Sequence, residues 1–275
     1  MTGLALLSTT RLLVADGWNK SVKIVSCDME NAGVLGSVKL PQSPFDVTIT
    51  PGDVAAVTIP DMKQIVFIQA QGDTLTQIQP SFTTTKRVGS PVVTKKEIYL
   101  SGKCFGIHFN NGRLYVVCEE EDSENNSCYI VMINIIDGQE TKKCNKELPL
   151  QSRYIAIMNE KLYVTHPHGV VRIKDIDSSQ RRSLRSKFVK EQPVKHVSTL
   201  RHVHGIVEVA GDILVGSVFK AGVFRILNMG SMLRGAVLVV NQPRAVCFCP
   251  DSRRLIVSHP RSIGNKANFL TVGRV

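Results

Sequence analysis

The sequence predicts an all-β chain folded as a six-bladed β-propeller of four-stranded antiparallel blades, and three observations predict it. A short apolar strand, a tight turn rich in Gly, Asn or Asp, and a second apolar strand recur six times along the 275 residues. Anchored at residues 3, 46, 106, 155, 205 and 245, the units are spaced by 43, 60, 49, 50 and 40 residues. Repeats of that length, each with four short strands, are the mark of a propeller, whereas a sandwich would not repeat in this way. The apolar runs also alternate or are too short for amphipathic helices.

One domain spanning 1–275 divides into units at about 1–42, 43–102, 103–151, 152–201, 202–241 and 242–275. The first pairs residues 4–7 with 12–15, then adds 22–25 and 34–40. In the second, 45–50 turns at Pro51-Gly52-Asp53 into 54–58, with 65–68 and 75–78 beyond. The third runs 105–109, Asn110-Asn111-Gly112, 114–118 and 129–136; the fourth runs 154–158, Asn159-Glu160, 162–165 and 170–173. The fifth reads 204–209, Ala210-Gly211, 213–216 and 223–227. The sixth reads 244–249, Pro250-Asp251, 255–258 and 269–272, and stops without a fourth strand. An open ring exposes sheet edges. Either residues 1–7 supply the closure, or the chain is the tail of a longer protein.

A hydrophobic fraction of 43% excludes a disordered chain, and no apolar run is long enough to span a membrane. Residues 1–13 lack a charged start and a cleavage site, which makes a poor signal peptide. Seven cysteines without paired spacing, apart from Cys247-x-Cys249, argue for free thiols and a cytoplasmic location. Charge is divided unequally. Residues 1–140 carry 11 basic and 15 acidic side chains, a balance of −4; residues 141–275 carry 23 and 8, a balance of +15. Such a split serves solubility or attracts an anionic partner.

The sole tryptophan, Trp18, is followed by Asn19, which excludes Trp-Asp repeats, and the absence of Gly-Gly pairs excludes the kelch type. The stretch Val14-Ala15-Asp16-Gly17-Trp18-Asn19-Lys20-Ser21-Val22-Lys23-Ile24-Val25 resembles the NHL repeat, with its Val-x-Asp strand end, turn Asn and Val-x-Val strand. A strand end also recurs as Val57-Thr58-Ile59-Pro60, Val164-Thr165-His166-Pro167 and Val257-Ser258-His259-Pro260. In this the chain is similar to the carboxy-terminal propeller of invertebrate tripartite-motif (TRIM) proteins. The resemblance implies a substrate-selecting module that binds protein or RNA. With no Cys-x-x-Cys pair, the zinc modules of that family have no counterpart in this sequence.

In a propeller the first strand of each blade lines the channel, and the residues leading into it share one face with the loops joining second and third strands. That places Phe45, Phe105, Tyr154, His204 and Arg244 at the channel mouth, with His166, His168, His259 and Arg261 from the loops. Aromatic faces and arginines there would hold a peptide or single-stranded RNA, since rings stack on bases and guanidinium groups neutralise phosphates. The plainer alternative is that Phe45, Phe105 and Tyr154 only plug the channel. Arg181, Arg182, Arg185 and Lys187 form the densest basic stretch, either a binding loop or a solvated one. His166-x-His168 and His202-x-His204 offer imidazoles in pairs, but nothing completes a shell, so no metal and no cofactor is expected.

The expected function is non-catalytic recognition, with a protein ligand ahead of RNA and neither membrane nor small-molecule substrate. A calcium-dependent lactonase is the distant alternative, because the channel strands offer only Asp46 and Glu208 as carboxylates. No Gly-x-Ser-x-Gly elbow supports nucleophilic catalysis.

Overall fold

The computed structural model describes residues 1–28, 32–78, 98–120, 127–135, 140–173, 192–193, 200–226, 236–260 and 268–274, with the backbone alone of 140–147, 192–193, 260 and 268–269. The first sheet holds β1 (Gly3–Leu6), β2 (Arg11–Asp16), β3 (Ser21–Ser26) and β4 (Gly33–Lys39). The second holds β5 (Val47–Thr50), β6 (Val54–Ile59), β7 (Gln64–Gln71) and β8 (Thr74–Ile78), plus the short β9 (Ile98–Tyr99). In the third are β10 (Lys103–Asn110), β11 (Arg113–Glu119), β12 (Cys128–Asn134) and β13 (Glu140–Leu148). The fourth has β14 (Ile155–Met158), β15 (Lys161–His166), β16 (Gly169–Ile173) and β17 (Gln192–Pro193). The fifth has β18 (Val203–Val209), β19 (Asp212–Ser217), β20 (Gly222–Ile226) and β21 (Leu238–Val239). The last has β22 (Ala245–Cys249), β23 (Arg254–Pro260) and β24 (Asn268–Arg274). A 3-10 turn, Pro60–Met62, joins β6 to β7.

Local chemistry explains the hairpins. The turns Asn111-Gly112, Asn159-Glu160 and Ala210-Gly211 have positive φ at both residues, the primed geometry that matches the twist of two-residue hairpins. Second strands read as continuous apolar runs because both of their faces are covered. Leu12, Leu13, Val14 and Ala15 are all fully buried although successive side chains point to opposite sides.

The sheets form a closed ring. The inner strands β1, β5, β10, β14, β18 and β22 pack each against the next, and β22 packs against β1. One apolar cluster fills each gap between neighbouring sheets. Between first and last, Leu4, Leu12 and Val14 meet Ala245, Cys247 and Ile256. Residues 1–7 therefore close the ring by packing and not by strand pairing: β1 pairs with β2 in its own sheet, and the last sheet has three strands among the described residues. The sequence did not reveal β9, which pairs with Gln64 and Ile65 at the head of β7. Among the described residues six cysteines are free and buried, and no helix is long and apolar enough to cross a membrane.

Candidate functional site

The recurring hydroxyl at the end of the second strand sets the mouth. Thr58 Oγ1 accepts the Asp46 N–H (3.1 Å), Thr165 Oγ1 accepts that of Tyr154 (3.1 Å), and Ser258 Oγ accepts that of Ala245 (3.0 Å). The carbonyls of the same three residues accept the N–H groups of Phe45 (2.9 Å), Arg153 (2.9 Å) and Arg244 (2.8 Å). All three hydroxyl residues are fully buried. Phe45, Arg153 and Arg244 are thus equivalent positions in the second, fourth and sixth sheets. The intervening sheets carry Gly3, Gly106 and Gly205, where a Cβ would collide with the lead-in backbone of the following sheet. Glycine is what lets neighbouring inner strands converge there.

These constraints gather Phe45, Phe105, Tyr154, His204 and Arg244 around one cavity of about 820 Å³ at the channel mouth. Phe45 meets Phe105 edge-on at 5.2 Å and Tyr154 at 5.1 Å between ring centroids, and Tyr154 meets His204 at 6.3 Å. Tyr154 also donates its hydroxyl to the Thr2 carbonyl (3.0 Å). The rings make a continuous floor. The Arg153 guanidinium lies over Phe105, 3.8 Å from its centroid, and pairs with Glu119 at 3.0 Å. Arg153, Trp18 and Asp61 line the cavity too, beyond the residues that the repeat spacing places there. Arg153 was legible in principle, because it precedes Tyr154 as Phe45 precedes Asp46.

Trp18 owes its place to the NHL-like turn. Asp16 accepts hydrogen bonds from Asn19 Nδ2 (2.7 Å) and Lys23 Nζ (2.5 Å), closing the loop that holds the indole 68% exposed. Burial pushes the Asp16 carboxyl up, but the bonds from Lys23 and Asn19 together with the Lys23 charge outweigh it, and its pKa lies below the ordinary value. His204 is drawn down to about 4, first by burial and then by Arg244, His202 and Arg153. It faces the cavity as a neutral ring.

Tyr154 also lines a second cavity of about 250 Å³ inside the channel, with Asp46, His108 and Glu208. Burial pushes Asp46 up to about 7, against the N–H groups of Val47 (2.9 Å) and Ile107 (3.1 Å) that its oxygens accept. Burial draws His108 down to about 4. Glu208 accepts the Gly211 N–H at 2.7 Å.

Other residues expected at the mouth do not reach the cavity. His166 and His168 turn to one another, with ring centroids 6.2 Å apart. Burial chiefly, with His168 beside it, draws His166 down to about 4. His259 folds back within the last sheet onto Thr271 Oγ1 (2.8 Å). The loops joining second and third strands differ in reach: those of the first two sheets bring Trp18 and Asp61 to the cavity, whereas His166, His168 and His259 do not line it. Among the described residues no three His, Cys, Asp or Glu side chains converge as metal ligands. Arg181, Arg182, Arg185, Lys187 and Arg261 lie outside the described residues.

No protein-family model matches the chain, and neither does any curated protein. Solved structures do. A gluconolactonase from Xanthomonas campestris shares 11% identity at a TM-score of 0.63, over 93% of this chain and 81% of that one. Virginiamycin B lyase from Staphylococcus aureus shares 13% at 0.56, over 100% and 84%. A protein of unknown function from Bacteroides thetaiotaomicron shares 14% at 0.64, over 94% of this chain and 66% of that one. The chain is a β-propeller. At such identities the likeness carries the propeller fold and nothing of the neighbours' chemistry.

Proposed function

We propose that this propeller is a non-catalytic recognition module that binds a protein partner on its mouth face. The observation that carries the reading is where exposed apolar side chains lie. Among the described residues eight large apolar side chains are exposed, and strand pairing puts five of them, Trp18, Tyr99, Leu150, Phe219 and Val239, at or beside strand ends that open on the mouth, while Val34, Leu35 and Val272 lie along β4 and β24. Tight, mostly polar hairpin turns such as Asn111-Gly112 and Ala210-Gly211 occupy the opposite ends. Apolar surface concentrated on one face of a soluble domain marks an interaction site. Charges of both signs rim it, including Arg153 with Glu119, and Asp61. A mixed rim suits a protein surface better than a nucleic-acid backbone.

The resemblance to TRIM propellers supports the same reading, and by it the module would select the substrate of a TRIM-like protein. The six buried free thiols among the described residues support a reducing compartment such as the cytosol. A calcium lactonase is disfavoured because both channel carboxylates already accept backbone N–H groups.

The test is capture of partners by the immobilised chain beside a Trp18→Asp/Phe219→Asp variant and a Glu160→Lys variant on the far side. Proteins held by the wild type and the far-side variant, and lost from the mouth variant, support the reading. Equal capture by all three refutes it. Anisotropy with single-stranded RNA at about 50 and about 200 mM salt supplies the other arm, since phosphate-driven binding weakens steeply with salt. RNA binding that Arg244→Gln abolishes would replace the protein reading.

A further inference from the structure

From the geometry of the mouth we propose that it reads a carboxylate-bearing segment of the partner, with an Asp or Glu side chain on Arg244 and an adjacent apolar side chain on the floor of Phe45 and Tyr154. The inference rests on the mouth face being the binding face and adds the chemistry that this face selects.

The charges on the cavity wall are unequally committed. Arg153 is engaged by Glu119 at 3.0 Å and by the Phe105 ring, and its Nη1 donates to the Ser152 carbonyl at 3.0 Å. Arg244 is exposed, and its guanidinium makes no ion pair, hydrogen bond or ring contact with a described residue. Its backbone is nevertheless fixed: its N–H goes to the Ser258 carbonyl, and the Ala245 N–H to the Ser258 hydroxyl. A guanidinium on rigid backbone, beside an apolar floor, presents a forked donor matched to a carboxylate.

The same inventory decides between kinds of anion. A nucleic-acid strand lays successive phosphates along a groove and needs several cations. Among the described residues the uncommitted cations in this wall are the Arg244 guanidinium and the Met1 amino group, whose pKa burial lowers, and Asp61 and Glu119 stand near the rings where further phosphates would run. One carboxylate next to one apolar group fits that distribution. Phe45 is only partly buried and Trp18 stands at the lip, so apolar surface beside the guanidinium is open to a side chain.

The experiment pans a phage-displayed random peptide library on the whole chain and measures enriched peptides, made synthetically, by fluorescence anisotropy. The expected result is enrichment of Asp or Glu next to an aromatic or branched apolar residue. Arg244→Gln should weaken such a peptide about tenfold and its Asn- or Gln-substituted twin less than about twofold, because only the charged pair is lost. Arg244→Lys should restore part of the affinity, and thermal melts confirm that each variant folds. Enriched peptides without acids, or equal losses for acid and amide twins, overturn the carboxylate inference. If Trp18→Asp still abolishes their binding, the mouth face stands without it. Binding that ignores both Arg244→Gln and Trp18→Asp refutes the face itself.

Discussion

Replacing Thr58 by Val keeps the side chain's shape and removes its one polar atom. Thr58 is fully buried, and its Oγ1 accepts the Asp46 N–H at 3.1 Å and donates to the Phe105 carbonyl at 2.6 Å. The second bond crosses from the second sheet to the third, so the change weakens both the turn into β5 and the contact between neighbouring sheets. Leaving one buried donor and one buried acceptor unsatisfied costs about 1–3 kcal/mol each. The added methyl group returns about 1 kcal/mol through burial. The net loss should be about 3 kcal/mol, within the roughly 1–5 kcal/mol these terms span, which for a domain of this size lowers Tm by roughly 6–12 °C. Urea denaturation followed by circular dichroism reads it directly. Thr58→Ser is the control: it keeps the hydroxyl, loses a methyl group, and should cost only about 1 kcal/mol. A Thr58→Val protein as stable as Thr58→Ser would refute the role given to the hydroxyl, and with it the account of how the recurring Thr and Ser residues set the mouth.

Two other perturbations follow from the same geometry. Gly205→Ala meets both a left-handed φ of +49° and backbone atoms of Arg244 and Ala245 at 2.9 Å, whereas Gly52→Ala meets a φ of +77° and open space. The first should cost about 2–4 kcal/mol and the second about 1–2 kcal/mol in urea melts, and equal costs would remove the case for close strand approach. Asp46 gives a pH dependence. Its carboxyl is raised from 3.8 to about 7, so between those values the folded chain holds a proton that the unfolded chain releases. Stability therefore falls as pH rises through that window, and the penalty is complete above about 7. Relative to Asp46→Asn, which does not titrate, the wild-type Tm should decline between pH 5 and pH 8; parallel profiles would show that Asp46 titrates at an ordinary value.

Much of the fold lies open in the sequence because its determinants are local. Asn111-Gly112 supplies the positive φ of a hairpin turn wherever it stands, and a run such as Leu114-Tyr115-Val116-Val117-Cys118 reads as a strand covered on both faces. Inner strands that all run one way must place their lead-in residues at one end of the channel. That is why Phe45, Phe105, Tyr154, His204 and Arg244 could be grouped from repeat spacing alone.

Radial distance from the axis has no such local signature. The sequence put His166, His168 and His259 on the mouth face, but only packing decided that His259 turns to Thr271 and that Arg153 and Trp18 reach the cavity. Ring closure belongs to the same class. Leu4, Leu12 and Val14 find Ala245, Cys247 and Ile256 from the far end of the chain, and apolar burial is non-directional, so no residue announces its partner. The sequence by itself determined the strands, the turns and the repeat. Tertiary packing decided which side chains meet at the mouth, because proximity across sheets depends on how all six close around one axis.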